Sequence, residues 1–340
     1  MNALVLASVF QSASVAEQSQ QQFQLSAKPQ LLSVIMTKTS ILTILTFLLF
    51  ACKTSKLPSY PTIGNAPTPP GTIKIYANLY FDKTEITNNS YLEFMYWTKK
   101  YFGVNSNEFL SILPDTNVWS KLNIGYASLD TFYLRHPAYR DFPVVGVSYE
   151  QAILFSKWRS DRVMEYLLIK NEIIPYRPNS PKDSVFTIEK YFTGQYYGIQ
   201  PNQHFLIYPY YSLPDSVTYT IASLYADSLN AKNYKYCRKK FCADKLLTEN
   251  NCLENKTNNT EASPYGPDPT LATGCVFCKK ELITHLKGNV REMTNSKGQF
   301  YGNSFIDSCN TPTNICRKDT LLVNSYTGFR NTCEYRQWKK

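Results

Sequence analysis

Phe142-Pro143-Val144-Val145-Gly146-Val147-Ser148-Tyr149-Glu150-Gln151-Ala152 decides how the rest of the chain is read. Its first half is short and rich in valine, which predicts a strand over Phe142 to Val147. Its second half sets Ser148 three residues before Gln151, the spacing of a capping box, so a helix begins there. Ala152, Phe155, Trp158 and Val163 follow at near-helical spacing. A strand running directly into a long helix belongs to a mixed architecture of helices and sheet.

The flanking sequence adds further elements. Thr72 to Phe81 alternates, which predicts one strand with Ile73, Ile75, Ala77, Leu79 and Phe81 on its apolar face. Thr87-Asn88 offers a helix cap ahead of Tyr91, Phe94, Met95, Trp97 and Tyr101. Pro214-Asp215 starts another helix containing Val217, Ile221, Ala222 and Tyr225. From Ala231 to Asp319 the chain is rich in Cys, Asn and Gly, and its periodicity is weak. The expectation is one large, irregular α+β domain over residues 71–340, and long irregular stretches need staples.

Composition excludes several classes. The chain has 340 residues, 43% of them hydrophobic and 18% charged, so it is neither disordered nor collagen-like. No apolar run reaches the roughly 18 residues of a membrane span. The three histidines, His136, His204 and His285, are far apart in sequence, with no paired spacing for a three-histidine metal centre.

The N-terminus reads as an address. Met36 to Ser40 carries one positive charge, Ile41 to Phe50 is mostly apolar, and Ala51-Cys52 follows. That order describes a secretory signal over residues 36–51. A cysteine directly after the cut is the bacterial lipoprotein signature, so Cys52 is the expected lipid attachment site. Several acyl chains make a stable anchor. Residues 1–35 do not fit this scheme and are expected to be a mis-called extension, with translation starting at Met36. Residues 52–70 form a Pro-rich tether.

A domain outside the reducing cytoplasm is expected to form disulfides. Setting Cys52 aside from the nine cysteines leaves eight candidates: Cys237, Cys242, Cys252, Cys275, Cys278, Cys309, Cys316 and Cys333. They fall into groups of five and three, so full pairing requires a bridge between the groups. Cys275-Val276-Phe277-Cys278 with Cys237 and Cys242 also has the spacing of a zinc site, although the compartment disfavours it. The formal charge of +10 includes Lys232, Lys235, Arg238, Lys239 and Lys240 beside tyrosines. On a lipoprotein such a cluster meets anionic lipid, cell-wall polymer or an acidic protein, and nucleic acid is not an expected partner.

Four stretches in order carry a resemblance. They are Phe81-Asp82-Lys83-Thr84-Glu85-Ile86-Thr87-Asn88, the opening stretch through Trp158, Leu213-Pro214-Asp215 with Tyr219 and Ala222, and Gly288-Asn289-Val290-Arg291-Glu292 followed by Gly302-Asn303-Ser304 and Gly328-Phe329-Arg330. Together they resemble the formylglycine-generating, sulfatase-modifying-factor superfamily over Pro70 to Lys340. That resemblance implies a C-type-lectin-like α+β fold. Tyr133 to Pro137, Trp158 to Val163 and Tyr191 to Tyr196 further resemble the gliding-motility lipoproteins. Those are outer-membrane proteins of Gram-negative bacteria associated with a secretion and gliding apparatus.

The resemblance also frames the chemistry. The family's copper-binding, oxygen-activating enzymes carry a cysteine three residues after the turn serine and another five further on. Counted from Ser304, those positions are Asp307 and Pro312. Cys309 and Cys316 lie nearby but out of register, and a two-residue slide still leaves Asn314 at the second position. The iron-dependent branch needs a histidine cluster that this chain lacks. Ser212 replaces the arginine before Leu-Pro, and Arg291 and Met293 replace an aromatic pair. Asn289 and Glu292 remain where members often bind calcium, and an amide oxygen with a carboxylate suits that hard cation. The expectation is a non-catalytic scaffold or interaction module in a gliding or secretion complex. The alternatives are a copper oxidase using Cys309 and Cys316, and a lectin-like module that binds glycan or cell-wall polymer through its tyrosines.

Overall fold

Thr72 to Phe81 folds as a hairpin rather than as the single strand expected. β1 (Thr72–Tyr76) turns at Ala77-Asn78 into β2 (Leu79–Asp82). Ala77 has a φ of 24°, and the Asn78 side chain donates to Tyr335 O at 2.7 Å. That long-range hydrogen bond, between residues 257 positions apart, holds a turn where the alternation alone predicts continued strand. The computed structural model describes residues 60–237, 281–308, 317–318 and 323–339. The chain divides into two units, Met1–Tyr60 and Pro61–Lys340, and the architecture below is that of the second.

Thr87 caps α1 (Asn88–Phe102) as expected, accepting from Ser90 N–H. Short helices α2 (Asn107–Leu110), α3 (Val118–Leu122) and α4 (Leu129–Phe132) wind on toward the opening stretch. Ser148 then caps α5 (Tyr149–Lys170), and both arms of the capping box are present. Ser148 Oγ accepts from Gln151 N–H at 3.2 Å, and Gln151 Oε1 accepts from Ser148 N–H at 2.8 Å. α6 (Ile188–Phe192), β3 (Ile207–Ser212) and α7 (Ser216–Cys237) follow. Asp215 serves the start of α7, accepting from Thr218 N–H. β4 (Arg291–Met293), β5 (Gln299–Tyr301), β6 (Arg317–Lys318), β7 (Thr327–Gly328) and β8 (Thr332–Gln337) complete the described elements.

Phe142 to Val147 is extended but joins no ladder, against the strand expectation. Val144 N–H donates to Ile86 O, Gly146 N–H donates to Asn324 O, and Gly146 O accepts from Asp115 N–H. Phe142 O also accepts from Asn88 N–H, so Pro143 makes a single antiparallel bridge with Thr87 while Gly146 meets two other segments. The stretch is the seam of the domain rather than a strand of a sheet.

The strands form two sheets, ordered β1-β2-β8-β3 and β6-β5-β4-β7. The first is antiparallel throughout, and β4 pairs with β7 in parallel. α1, α5 and the seam enclose a core that includes Tyr91, Phe94, Val144, Val147, Phe155 and Phe329. Tyr91 stacks on Phe155 at 5.9 Å, and Phe155 meets Phe329 edge-on at 5.4 Å. Residues from three separate motifs thus share one aromatic cluster, each such pair adding about 0.5–1.5 kcal/mol beyond area burial. α7 packs Tyr219 and Ala222 against Ile73 and Phe81.

Cys333, one of the eight disulfide candidates, is a buried free thiol. It lies on an inner strand of its sheet, in register with Tyr80 on one side and Tyr211 on the other. Burial pushes this thiol well above its ordinary range, so it behaves as a small hydrophobe. Cys242, Cys252, Cys275, Cys278, Cys309 and Cys316 lie outside the described residues, as does Cys52, and Cys237 ends α7.

Candidate functional site

Two charged clusters occupy the C-terminal motifs. The first forms at the Gly302-Asn303-Ser304 turn. Ser304 is fully buried, and both its N–H and its Oγ donate to Asp307 Oδ2, at 2.6 and 2.7 Å. Arg291, projecting from β4, grips the same carboxylate twice. Its Nε donates to Oδ2 at 2.9 Å and its Nη2 to Oδ1 at 2.5 Å. Arg317 Nη1 lies 3.7 Å from Oδ1, while its Nη2 donates to Asn303 Oδ1 at 2.6 Å. The Arg291 guanidinium lies over the Phe300 and Tyr326 rings, at 4.8 and 5.0 Å. Burial pushes the Asp307 carboxyl up, but the hydrogen bonds from Arg291 and Ser304 outweigh it and hold the group below its ordinary range.

Asp307 is therefore an ionised carboxylate already engaged by arginine and serine. Copper in its reduced state prefers soft thiolate ligands. A hard oxygen pair saturated by cationic donors does not fit that metal. Pro312, Cys309 and Cys316 lie outside the described residues.

The second cluster is deeper. Glu85, Asn289, Glu292 and Arg330 are at most 1% exposed. Arg330 Nε and Nη2 donate to Glu292 Oε2 and Oε1, at 2.7 and 2.5 Å. Its remaining donors reach Asp82 O and Thr284 O. Asn289 has a φ of 73°, a backbone conformation asparagine tolerates. Its Nδ2 donates to both Glu85 oxygens, at 3.0 and 3.2 Å. Burial pushes both the Glu85 and Glu292 carboxyls up, with Arg330 pulling the other way.

This geometry bears on the calcium expectation at Asn289 and Glu292. A calcium ion needs six to eight oxygen ligands. Here Arg330 covers both Glu292 oxygens, and the Asn289 amide nitrogen faces the second carboxylate. The cluster is an internal Arg330–Glu292 salt bridge with Glu85 held beside it by Asn289. Among the described residues no group of three or more His, Cys, Asp or Glu could hold a metal ion.

The sequence matches the sulfatase-modifying factor enzyme 1-like domain family over residues 50–336. The chain belongs to that family. No curated protein matches it. A solved structure described as "Crystal Structure of CarF" is similar at 18% identity, over 77% of this chain and 87% of that one, with a TM-score of 0.33.

Within this sulfatase-modifying-factor domain, Ser304, Asp307 and Arg291 come together, and Asn289, Glu292 and Arg330 form the separate buried pair. Sequence reasoning missed two features. Arg159 on α5 binds Asp82 with both nitrogens, at 2.7 and 2.8 Å, and also donates to Pro70 O. That triangle fastens the start of the domain to its sheet. The other is β3, whose Ile207-Tyr208-Pro209-Tyr210-Tyr211-Ser212 alternates buried and half-buried residues. The alternation was available as a strand signal despite Pro209, which is tolerated because β3 is an outer strand.

Proposed function

We propose that this chain is a lipid-anchored protein of the Gram-negative outer membrane. Its sulfatase-modifying-factor domain is non-catalytic and acts as a scaffold or interaction module in a gliding-motility or secretion complex. The observation that carries this reading is the Arg291–Asp307 ion pair. Both residues depart from the family pattern, an arginine for an aromatic residue and an aspartate for a thiol, and the two departures bind each other. On that reading, a charged clamp occupies the position that the family resemblance assigns to the enzymes' first metal-binding thiol. The lipoprotein order of Met36 to Cys52 supports the anchor, and the gliding-lipoprotein resemblance supports the complex. Among the described residues no helix is long and apolar enough to cross a membrane.

Metabolic labelling with an alkyne fatty acid in a Gram-negative host tests the anchor, and crosslinking in native envelopes tests the role. The expected outcome is a label that Cys52→Ala removes, release of that variant from the membrane fraction, and a discrete crosslinked envelope subunit. An unlabelled wild-type chain in the soluble fraction, with no crosslinked species, would contradict the proposal.

A further inference from the structure

A cavity of about 350 Å³ lies between α5, α6, β3 and the C-terminal segment, away from both charged clusters. That volume falls at the small end of ligand pockets, roughly 300–1,000 Å³. Tyr208, Tyr210 and Trp338 line one side. Trp338 is backed by Phe192, stacked at 4.8 Å and 10°, and stands at 6.2 Å from the Tyr208 ring. Tyr210 is backed by Arg336, 3.4 Å from its ring. Each of these rings is braced by a neighbouring side chain, a preorganised arrangement that reduces the ordering cost of binding. Lys157, Asp161 and Glu189 also line the cavity.

Asp161 is 8% exposed. Its Oδ1 accepts from Ile188 N–H at 2.9 Å, and its Oδ2 has no hydrogen-bond partner among the described residues. Oδ2 is not sealed off by the protein, so this lining carboxylate can accept a hydrogen bond from a ligand in the cavity.

The lining discriminates among ligands. An added peptide strand would need donors along the outer edge of β3. Pro209 has none, and Tyr211 N–H is already taken by Ser160 Oγ at 2.9 Å. A simple cation would meet Lys157 in the same cavity and a chain of net charge +10. An acyl chain would leave Asp161 buried against hydrocarbon, which is costly. A sugar ring satisfies the whole set. Its C–H face covers an aromatic ring, and its hydroxyls both donate and accept, matching the carboxylates and the ammonium.

We propose that this cavity is a saccharide-binding site, taking a pyranose unit against Tyr208, Tyr210 and Trp338 with Asp161 as the buried hydroxyl acceptor. The site does not depend on the scaffold reading and could serve an envelope glycan or a soluble oligosaccharide.

Calorimetry on the full chain with chitotriose, cellotriose, maltotriose, free glucose and lysine methyl ester tests it. The expected result is saturable binding of at least one sugar, weakened at least tenfold by Asp161→Asn and by Trp338→Ala. Exposed Lys157→Ala, which leaves the packing intact, is expected to weaken it about threefold and guards against a Trp338 variant that fails to fold. Tighter binding of trisaccharides than of glucose points to a glycan chain, and equal binding to a free sugar. Binding of lysine methyl ester alone, no binding of any sugar, or sugar binding indifferent to all three variants would overturn the proposal.

Discussion

A Cβ added at Gly146 would lie 2.2 Å from the Asp115 carbonyl oxygen, and the residue has a φ of +71°. Only glycine fits there, because the seam must press its backbone against a neighbouring segment. Gly146→Ala is expected to destabilise the domain by roughly 1–3 kcal/mol or more, read by denaturant melts. Two aspartates give opposite pH signatures. Asp307 has a depressed folded value, so its contribution is present above the ordinary aspartate range and is lost as pH falls through the folded value. Asp307→Asn should cost about 1–3 kcal/mol near neutral pH and progressively less in acid. Asp161 is pushed up to about 6 by burial, with Lys157 and Arg162 opposing and Glu165 assisting. Its folded state holds a proton that the unfolded chain releases, so stability is lost as pH rises from about 4 through about 6. Asp161→Asn should therefore stabilise the domain above that window and change little below it, as thermal melts across pH would show.

Element by element, legibility tracked how local the deciding interaction is. Thr87 and Ser148 were readable as caps because each partner lies three residues away. The Thr72 to Phe81 hairpin was not, because its turn at Ala77-Asn78 is fixed by Tyr335 on β8. Phe142 to Val147 has the composition of a strand, yet its hydrogen bonds go to three distant loops. Arg330 was quoted as part of a motif, but its role needs Glu292 on β4 and Asp82 on β2. Removing that guanidinium would strand buried carboxylates. Arg330→Met is expected to cost about 3–5 kcal/mol, with part of the loss recovered in acid as the carboxylates protonate. Chemical denaturation at neutral and acidic pH would check both the size and the recovery.

At the scale of the whole molecule, the ordered motifs were enough to anticipate an α+β sulfatase-modifying-factor domain. The site was legible only as the departures that the resemblance implies, Asp307 at a thiol position and Arg291 at an aromatic one. Their union was not legible, because sixteen positions separate them and only the β4 and Ser304 turns bring them together. The saccharide cavity was invisible for the same reason, since it draws on α5, α6, β3 and Trp338. The central claim is that the clamp at Asp307 has replaced the family's oxidation chemistry. It is tested most directly by incubating the full chain with a cysteine-containing sulfatase-motif peptide, copper and oxygen, and measuring peptide aldehyde by mass spectrometry. The account predicts no aldehyde above the protein-free control. Aldehyde formed by the wild-type chain and abolished by Cys309→Ser or Cys316→Ser would contradict it.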